Sequence, residues 1–282
     1  MAERTKWLVD TEWLEANLDN PDVVILDGSW YLPQLQRDPK AEFARAHIPG
    51  AMFFDIDEIA DLSTDLPHML PSPELFSTEL SKMGMSNGQT VVVYDGVGIG
   101  SAPRLWWTFQ VMGIKDVYIL DGGLPKWKAE KRPVTDVIQT RAPGHFTAKL
   151  DHQAVRNFDD MLEAIKDDGV EIVDARSTER WRGIGPEPRP NLSSGRMPGS
   201  KNVPFQDLVD DNGQIKDVDF LKQRFVAAGV DLSKPIITSC GSGSTAAILF
   251  LALDTIGQKQ LSLYDGSWTE WASREGSIIE KD

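Results

Sequence analysis

The one cysteine among 282 residues, Cys240, stands in the stretch KPIITSCGSGSTAAILFLAL, residues 234–253. A short β-branched run ends at it, a Gly/Ser loop follows, and a second apolar run begins near Thr245. Strand, tight loop and helix in that order predict a concave nest of backbone N–H groups backed by a helix N-terminus, which is an anion site. Gly241 and Gly243 permit the bend, and the hydroxyls of Ser242, Ser244 and Thr245 add donors. Such a cradle favours a thiolate, the nucleophilic form. The competing reading is a small core residue, because free cysteine is among the most buried types. A position at the end of the strand rather than inside it favours the reactive reading.

Several chemistries use a cysteine in this setting. A tyrosine-phosphatase loop needs an arginine six residues after the cysteine, and Ala246 stands there, so phosphate-ester hydrolysis is disfavoured. A cysteine peptidase needs a histidine base oriented by a third group, to be sought among His47, His68, His145 and His152. The tandem α/β organisation described next does not suggest that class. Four scattered histidines and one cysteine give no metal-ligand spacing. GVGIGS is too irregular for a dinucleotide fingerprint. No metal and no cofactor are expected. In TERWRGIGPEPRP, Arg180 and Arg189 offer planar guanidinium groups that suit the paired oxygens of a carboxylate beside a carbonyl. Prolines 186, 188 and 190 would stiffen the arm that carries Arg189. The plainer alternative is solvation, or pairing with Glu187; Arg182 is open to either reading.

These residues sit on a chain that repeats itself. VVILDGSW (23–30) matches VEIVDARS (170–177), and AHIPGAMFFDIDEI (46–59) matches GRMPGSKNVPFQDL (195–208). TVVVYDG (90–96) matches PIITSCG (235–241), and VYILDGGLPKWKAE (117–130) matches LSLYDGSWTEWASR (261–274). The order is kept and the offset stays near roughly 145 residues, so two tandem copies of one fold are predicted. Within each copy short apolar strands alternate with helical stretches such as APRLWWTFQVMG and STAAILFLALDTIG. That alternation implies an α/β fold with a parallel sheet and helices on both faces. The stretch around Pro143 and Gly144 has no repeat partner. It places a linker at 141–156, between a first domain at 1–140 and a second at 157–282. Tryptophans in RLWW and SWTEW take corresponding helical places and read as core.

A net charge of −14, from 43 acidic against 29 basic residues, argues against nucleic acid or an anionic membrane as partner. One cysteine excludes an internal disulfide framework. The polar opening MAERTKWLVDTEWLEANL and the lack of any apolar stretch near the roughly 20 residues of a span lead to the expectation of a cytoplasmic protein.

The two copies, CGSGSTA in the second and a cysteine-free counterpart in the first, resemble the rhodanese superfamily of two-domain sulfurtransferases. The likeness covers nearly the whole chain, including HIPGAMFFDID, HMLPS, SAPRLWW, DGGLPKW, RWRGIGPEPR and YDGSWTEW. Thiosulfate-specific members usually carry two basic residues after the cysteine. Gly241 and Ser242 stand there, as in the mercaptopyruvate-using group, while Ser244 replaces that group's usual valine.

The resemblance implies two tandem rhodanese-like domains, each a mainly parallel sheet flanked by helices, with the chemistry in the second. It implies that Cys240 takes sulfur from 3-mercaptopyruvate, releases pyruvate and holds a persulfide in the loop Gly241, Gly243, Ser244 and Thr245. With no second thiol the acceptor must be external: cyanide, a small thiol or a dithiol protein such as thioredoxin. Arg180 and Arg189 match the family's substrate-holding arginines, and Ser242, His68 and Asp57 match its proposed proton relay across the domain cleft. Against that relay, His68 could be a solvated loop residue and Asp57 a helix N-cap before EIADL. Asp95, in the cysteine's place in the first copy, cannot carry a sulfane sulfur. The alternatives are a thiosulfate:cyanide sulfurtransferase and a non-catalytic persulfide carrier.

Overall fold

The computed structural model describes residues 5–282; residues 1–4, counted above with the first domain, lie outside the described residues. Strands β1 (Leu8–Val9), β2 (Val23–Asp27), β3 (Met52–Phe53), β4 (Thr90–Tyr94) and β5 (Val117–Leu120) form one sheet in the order β1-β5-β4-β2-β3. Strands β6 (Val155–Arg156), β7 (Glu171–Asp174), β8 (Lys201–Asn202), β9 (Ile236–Ser239) and β10 (Leu261–Tyr264) form a second in the matching order β6-β10-β9-β7-β8. Every strand pairing in both sheets is parallel. The repeat in sequence is a repeat in topology.

Helices α1 (Thr11–Ala16), α2 (Pro39–Arg45), α3 (Pro73–Lys82), α4 (Ala102–Val111) and α5 (Gly123–Ala129) flank the first sheet. Helices α6 (Phe158–Ala164), α7 (Thr178–Arg182), α8 (Val218–Ala227), α9 (Ala246–Thr255) and α10 (Ser267–Ser273) flank the second. Their starts are marked chemically. Asp10, Asp38, Ser72 and Asp217 accept first-turn N–H groups of α1, α2, α3 and α8, and Asn157 forms a reciprocal box with Asp160 on α6.

The central strands are buried on both faces, which explains their continuous apolar runs. Val23, Ile25, Val92 and Tyr94 face a core with α1, α2 and α5. Val24, Leu26, Val91 and Val93 face a larger core that does not stop at the domain boundary. It passes through α4 and α9, which pack on each other, to Leu221, Ile236 and Leu263. Trp106 of α4 meets Phe250 of α9 edge-on, with centroids 6.2 Å apart. Trp107, Trp268 and Trp271 are fully buried, as core residues should be. Since β4 runs into α4 and β9 into α9, the loops at these two junctions are held against the opposite domain.

Between α5 and the turn His152–Ala154 the chain forms no helix or strand beyond a bridge of Thr135 to His47. Gly144 N donates to Ser81 O and Lys149 N to Met112 O, which fastens this stretch along the first domain. Val155 and Arg156, the last residues of the segment expected to link the domains, already pair with Leu263 and Tyr264 as an edge strand. No helix among the described residues is long and apolar enough to cross a membrane.

Asp27, at the end of β2, is buried, and its carboxylate accepts the Ser29 N–H at 2.9 Å. Burial, with Asp95 nearby, pushes its pKa up to about 6 against the opposing hydrogen bonds. The folded state therefore holds this proton more tightly than the unfolded chain, and stability falls as pH rises from the ordinary carboxylate range to about 6. Asn in its place stays neutral. Asp27→Asn is expected to match the parent near pH 4 and exceed it at pH 7 by at most about 3 kcal/mol. Urea unfolding at the two pH values checks this, and a difference independent of pH would contradict it.

Candidate active site

Cys240 follows β9 and is 2% exposed. The loop behind it turns its carbonyls outward. Cys240 O accepts from Trp268 N at 2.9 Å, and Gly241 O accepts from Thr269 N and Thr269 Oγ1 at 2.9 and 2.6 Å. Gly243, at φ +81°, makes the bend, and a Cβ there would lie 2.7 Å from Arg104 and 2.9 Å from Asp265 O. Meanwhile the amides of residues 241–245 donate to no other described group. Carbonyls are used and amides are available, which is the electrostatic signature of an anion cradle.

The first domain shows what this loop does when filled. There Asp95 takes the place of Cys240, and its carboxylate accepts Val97 N, Gly100 N and Ala102 N at 2.8, 2.9 and 2.8 Å. Burial raises its pKa while those amides oppose the shift. The nest of that copy is occupied by its own side chain.

Two guanidinium groups overhang the cysteine loop. A Cβ on Gly241 would lie 3.1 Å from Arg180 Nη2 and 3.7 Å from Arg189 Nη1, so the absent side chain keeps this approach open. The plainer reading of Arg180 holds for one edge of its group. Nε and Nη2 pair with Glu187, at 2.6 Å for the closest contact. Glu187 is itself braced by Arg176, which is buried over the Trp268 ring and chelates Asp174 at the end of β7. Arg189 is half-buried and forms no hydrogen bond or ion pair among the described residues. Burial lowers its pKa, with Cys240 pulling the other way and Arg180 adding to the fall. A guanidinium stays charged at neutral pH, so this is a cation set in the cleft beside Cys240 with its donors uncommitted. Gln34 of the first domain donates to Pro188 O at 2.8 Å, steadying the proline arm. Arg182 is turned away to Asp282.

His68 is buried on the first-domain side. Its Nδ1 meets the Asp57 carboxylate, while Nε2 has no hydrogen-bond partner among the described residues. The other oxygen of Asp57 accepts the Trp30 indole N–H at 2.9 Å, and the Trp30 ring stands edge-on to His68 at 4.5 Å. Asp57 is not a helix cap. Residues 56–60 form no helix, and the turn is capped by Asp55, which accepts Asp57 N and Glu58 N. Burial acts to raise the Asp57 pKa, but His68, Trp30 and Arg189 outweigh it and hold it below the usual range. The carboxylate is thus ionised and oriented toward the imidazole. Ser242 is buried in the loop, and no hydrogen bond joins it to His68. A cavity of about 630 Å³ opens from His68 and Arg189 over Trp30, Tyr31 and Phe53.

The remaining histidines are elsewhere. His47 is buried with Nδ1 2.7 Å from Phe43 O, and His145 and His152 are exposed. The residues that sequence reasoning passed over are Trp30, Arg104, Arg176 and Asp265. For Arg104 a signal was present: one charge in the apolar turn APRLWW must find partners if that helix is buried.

Two copies of a five-stranded parallel α/β fold, with a cysteine-centred anion loop in one and a carboxylate-filled loop in the other, define the rhodanese class of fold and site. The model of the rhodanese-like domain matches residues 10–130 and 157–274, and the chain belongs to the rhodanese family. A mitochondrial thiosulfate/3-mercaptopyruvate sulfurtransferase of Arabidopsis thaliana is 43% identical over 97% of this chain and 78% of its own. The 3-mercaptopyruvate sulfurtransferase of Escherichia coli K12 is 39% identical over 98% of both. The crystal structure of SseA from Escherichia coli superimposes with a TM-score of 0.86 at 38% identity, covering 94% of this chain and 99% of that one.

Proposed function

We propose that this protein transfers sulfane sulfur from 3-mercaptopyruvate to a thiophilic acceptor through a persulfide on Cys240. The observation that carries the reading is the pair of guanidinium groups over Gly241, one of them uncommitted, beside a cysteine whose loop amides are open. Arg189 and the free edge of Arg180 would hold the carboxylate and carbonyl of the oxo acid. The Cys240 thiolate attacks the substrate sulfur, the carbon–sulfur bond breaks, and carbon keeps the electron pair as the pyruvate enolate. The proton of the transferred SH group passes through Ser242 and His68 to the enolate carbon, with Asp57 orienting the imidazole. A persulfide anion is left in the nest of Gly241, Gly243, Ser244 and Thr245 until an external acceptor removes the outer sulfur. Cyanide, a small thiol or thioredoxin would serve. A single unpaired cysteine suits a reducing compartment such as the cytoplasm. In this reading residues 1–140 supply the cleft wall and the relay, 141–156 the link, and 157–282 the thiol and the arginines.

The test is pyruvate release by purified protein given 3-mercaptopyruvate without acceptor, with intact mass read in parallel. One equivalent of pyruvate with a mass gain of one sulfur is expected. A sulfur adduct formed from thiosulfate alone would move the assignment to a thiosulfate sulfurtransferase. Neither product from folded protein would leave a persulfide carrier.

A further inference from the structure

We infer that Arg104 and Asp265, a buried ion pair joining the two domains, are positioning residues that hold His68 in register with the Cys240 loop. The inference rests on the proton role given to His68 above. Arg104 lies in the first turn of α4 and is 2% exposed, among otherwise apolar neighbours. A guanidinium is retained in such a place only when its donors are matched. Its Nη2 donates to Asp265 Oδ1 at 2.7 Å and to His68 O at 2.5 Å, and its Nη1 lies 3.5 Å from Gly243 O. Asp265, just beyond β10, spends its other oxygen on Leu70 N at 2.8 Å. One ion pair therefore grips the backbone just after the imidazole at two points, His68 O and Leu70 N, and touches the anion loop three residues after the thiol. His68 needs such a grip. Its φ is +58°, a conformation that a residue with a side chain holds only where its surroundings impose it.

The repeat supplies an internal comparison. Asp121, the counterpart of Asp265, receives Gln214 from the second domain and Lys126 from its own. Where α4 carries Arg104, the matching turn of α9 carries Ile248 and Leu249, both fully buried. The same docking of one domain's loop on the other is thus made in the first domain without a guanidinium. Of these two matching contacts between the domains, the guanidinium serves the one that reaches the thiol-bearing loop, so packing the domains together does not explain it.

The two half-reactions separate positioning from scaffolding. Loading from 3-mercaptopyruvate must deliver a proton to carbon, whereas discharge to cyanide converts the persulfide anion and CN⁻ into thiolate and SCN⁻ with no proton moved. A displaced imidazole slows the first and spares the second. Rapid-quench measurement of pyruvate in the first turnover, then of thiocyanate from preloaded protein, should be made on the parent, Arg104→Lys, Asp265→Asn, His68→Asn and the Arg104→Lys/His68→Asn double variant. Loading in Arg104→Lys and Asp265→Asn is expected to fall about 10- to 100-fold with discharge unchanged. The double variant should load no more slowly than His68→Asn. Loss of both half-reactions together, or of the fold in both single variants, makes the pair a structural strut and overturns the inference. So does slow loading in His68→Asn without slow loading in Arg104→Lys, which leaves the proton role standing. Unchanged loading in His68→Asn removes the proton role and the inference with it.

Discussion

Cys240→Ala is expected to abolish pyruvate release and the one-sulfur mass gain together, a loss of at least about 10⁴-fold in turnover. The sequence holds no other thiol that could take over, and the corresponding side chain of the first domain is a carboxylate. The fold should survive. The side chain is small, and the loop is held by bonds that bypass the sulfur, from Trp268 N, Thr269 N and Thr269 Oγ1 to its carbonyls. A stability change of about 1 kcal/mol is the scale to expect. Cys240→Ser should be as inactive, because its oxygen forms no stable bond to a transferred sulfur under these conditions. Stoichiometric pyruvate from either variant, at unchanged melting temperature, would mean that sulfur leaves the substrate by a route that does not use the loop.

The second large effect is expected at Arg189. Removing a half-buried cation that meets a substrate carboxylate should lower kcat/KM for 3-mercaptopyruvate by about 10²- to 10³-fold, or ~3–4 kcal/mol of transition-state stabilisation. Arg189→Ala is the clean choice because the guanidinium makes no hydrogen bond or ion pair among the described residues. The matching change at Arg180 would leave the buried Glu187, whose side chain is 2% exposed, with Arg176 alone, and so mix stability with binding. Arg189→Lys should recover only part of the loss, since an ammonium cannot present two parallel N–H bonds. Discharge of preformed persulfide to cyanide should change little. Parent-like kcat/KM in Arg189→Ala would show that the oxo-acid carboxylate is held elsewhere.

The legible and illegible parts of this protein divide along physical lines. The tandem fold was readable because β2 and β7, or β4 and β9, are short apolar strands that end in the same punctuation in each copy. The cysteine's place at a strand end followed from the same local pattern. What the sequence did not reveal is who occupies whose hydrogen bonds. That Glu187 takes one edge of Arg180, seven residues away, while Arg189, two residues away, makes no bond among the described residues depends on three-dimensional placement, not on spacing along the chain. That Asp55 caps the turn and frees Asp57 for His68 is a choice between two acids two positions apart. Arg104 and Asp265 are 161 residues apart along the chain. No periodicity of helix or strand connects residues so distant; only the docking of α4 on α9 does.

The first domain's Asp95 has one more consequence. A plug attached to its own socket is present at an effective concentration that no free anion matches in dilute solution. The two loops therefore differ in what their amides can bind: those of the first domain are taken by Asp95. Sulfate titrated against the protein is expected to perturb the loop of Cys240 and to leave the Asp95 loop unchanged, which amide chemical shifts of the two loops would read.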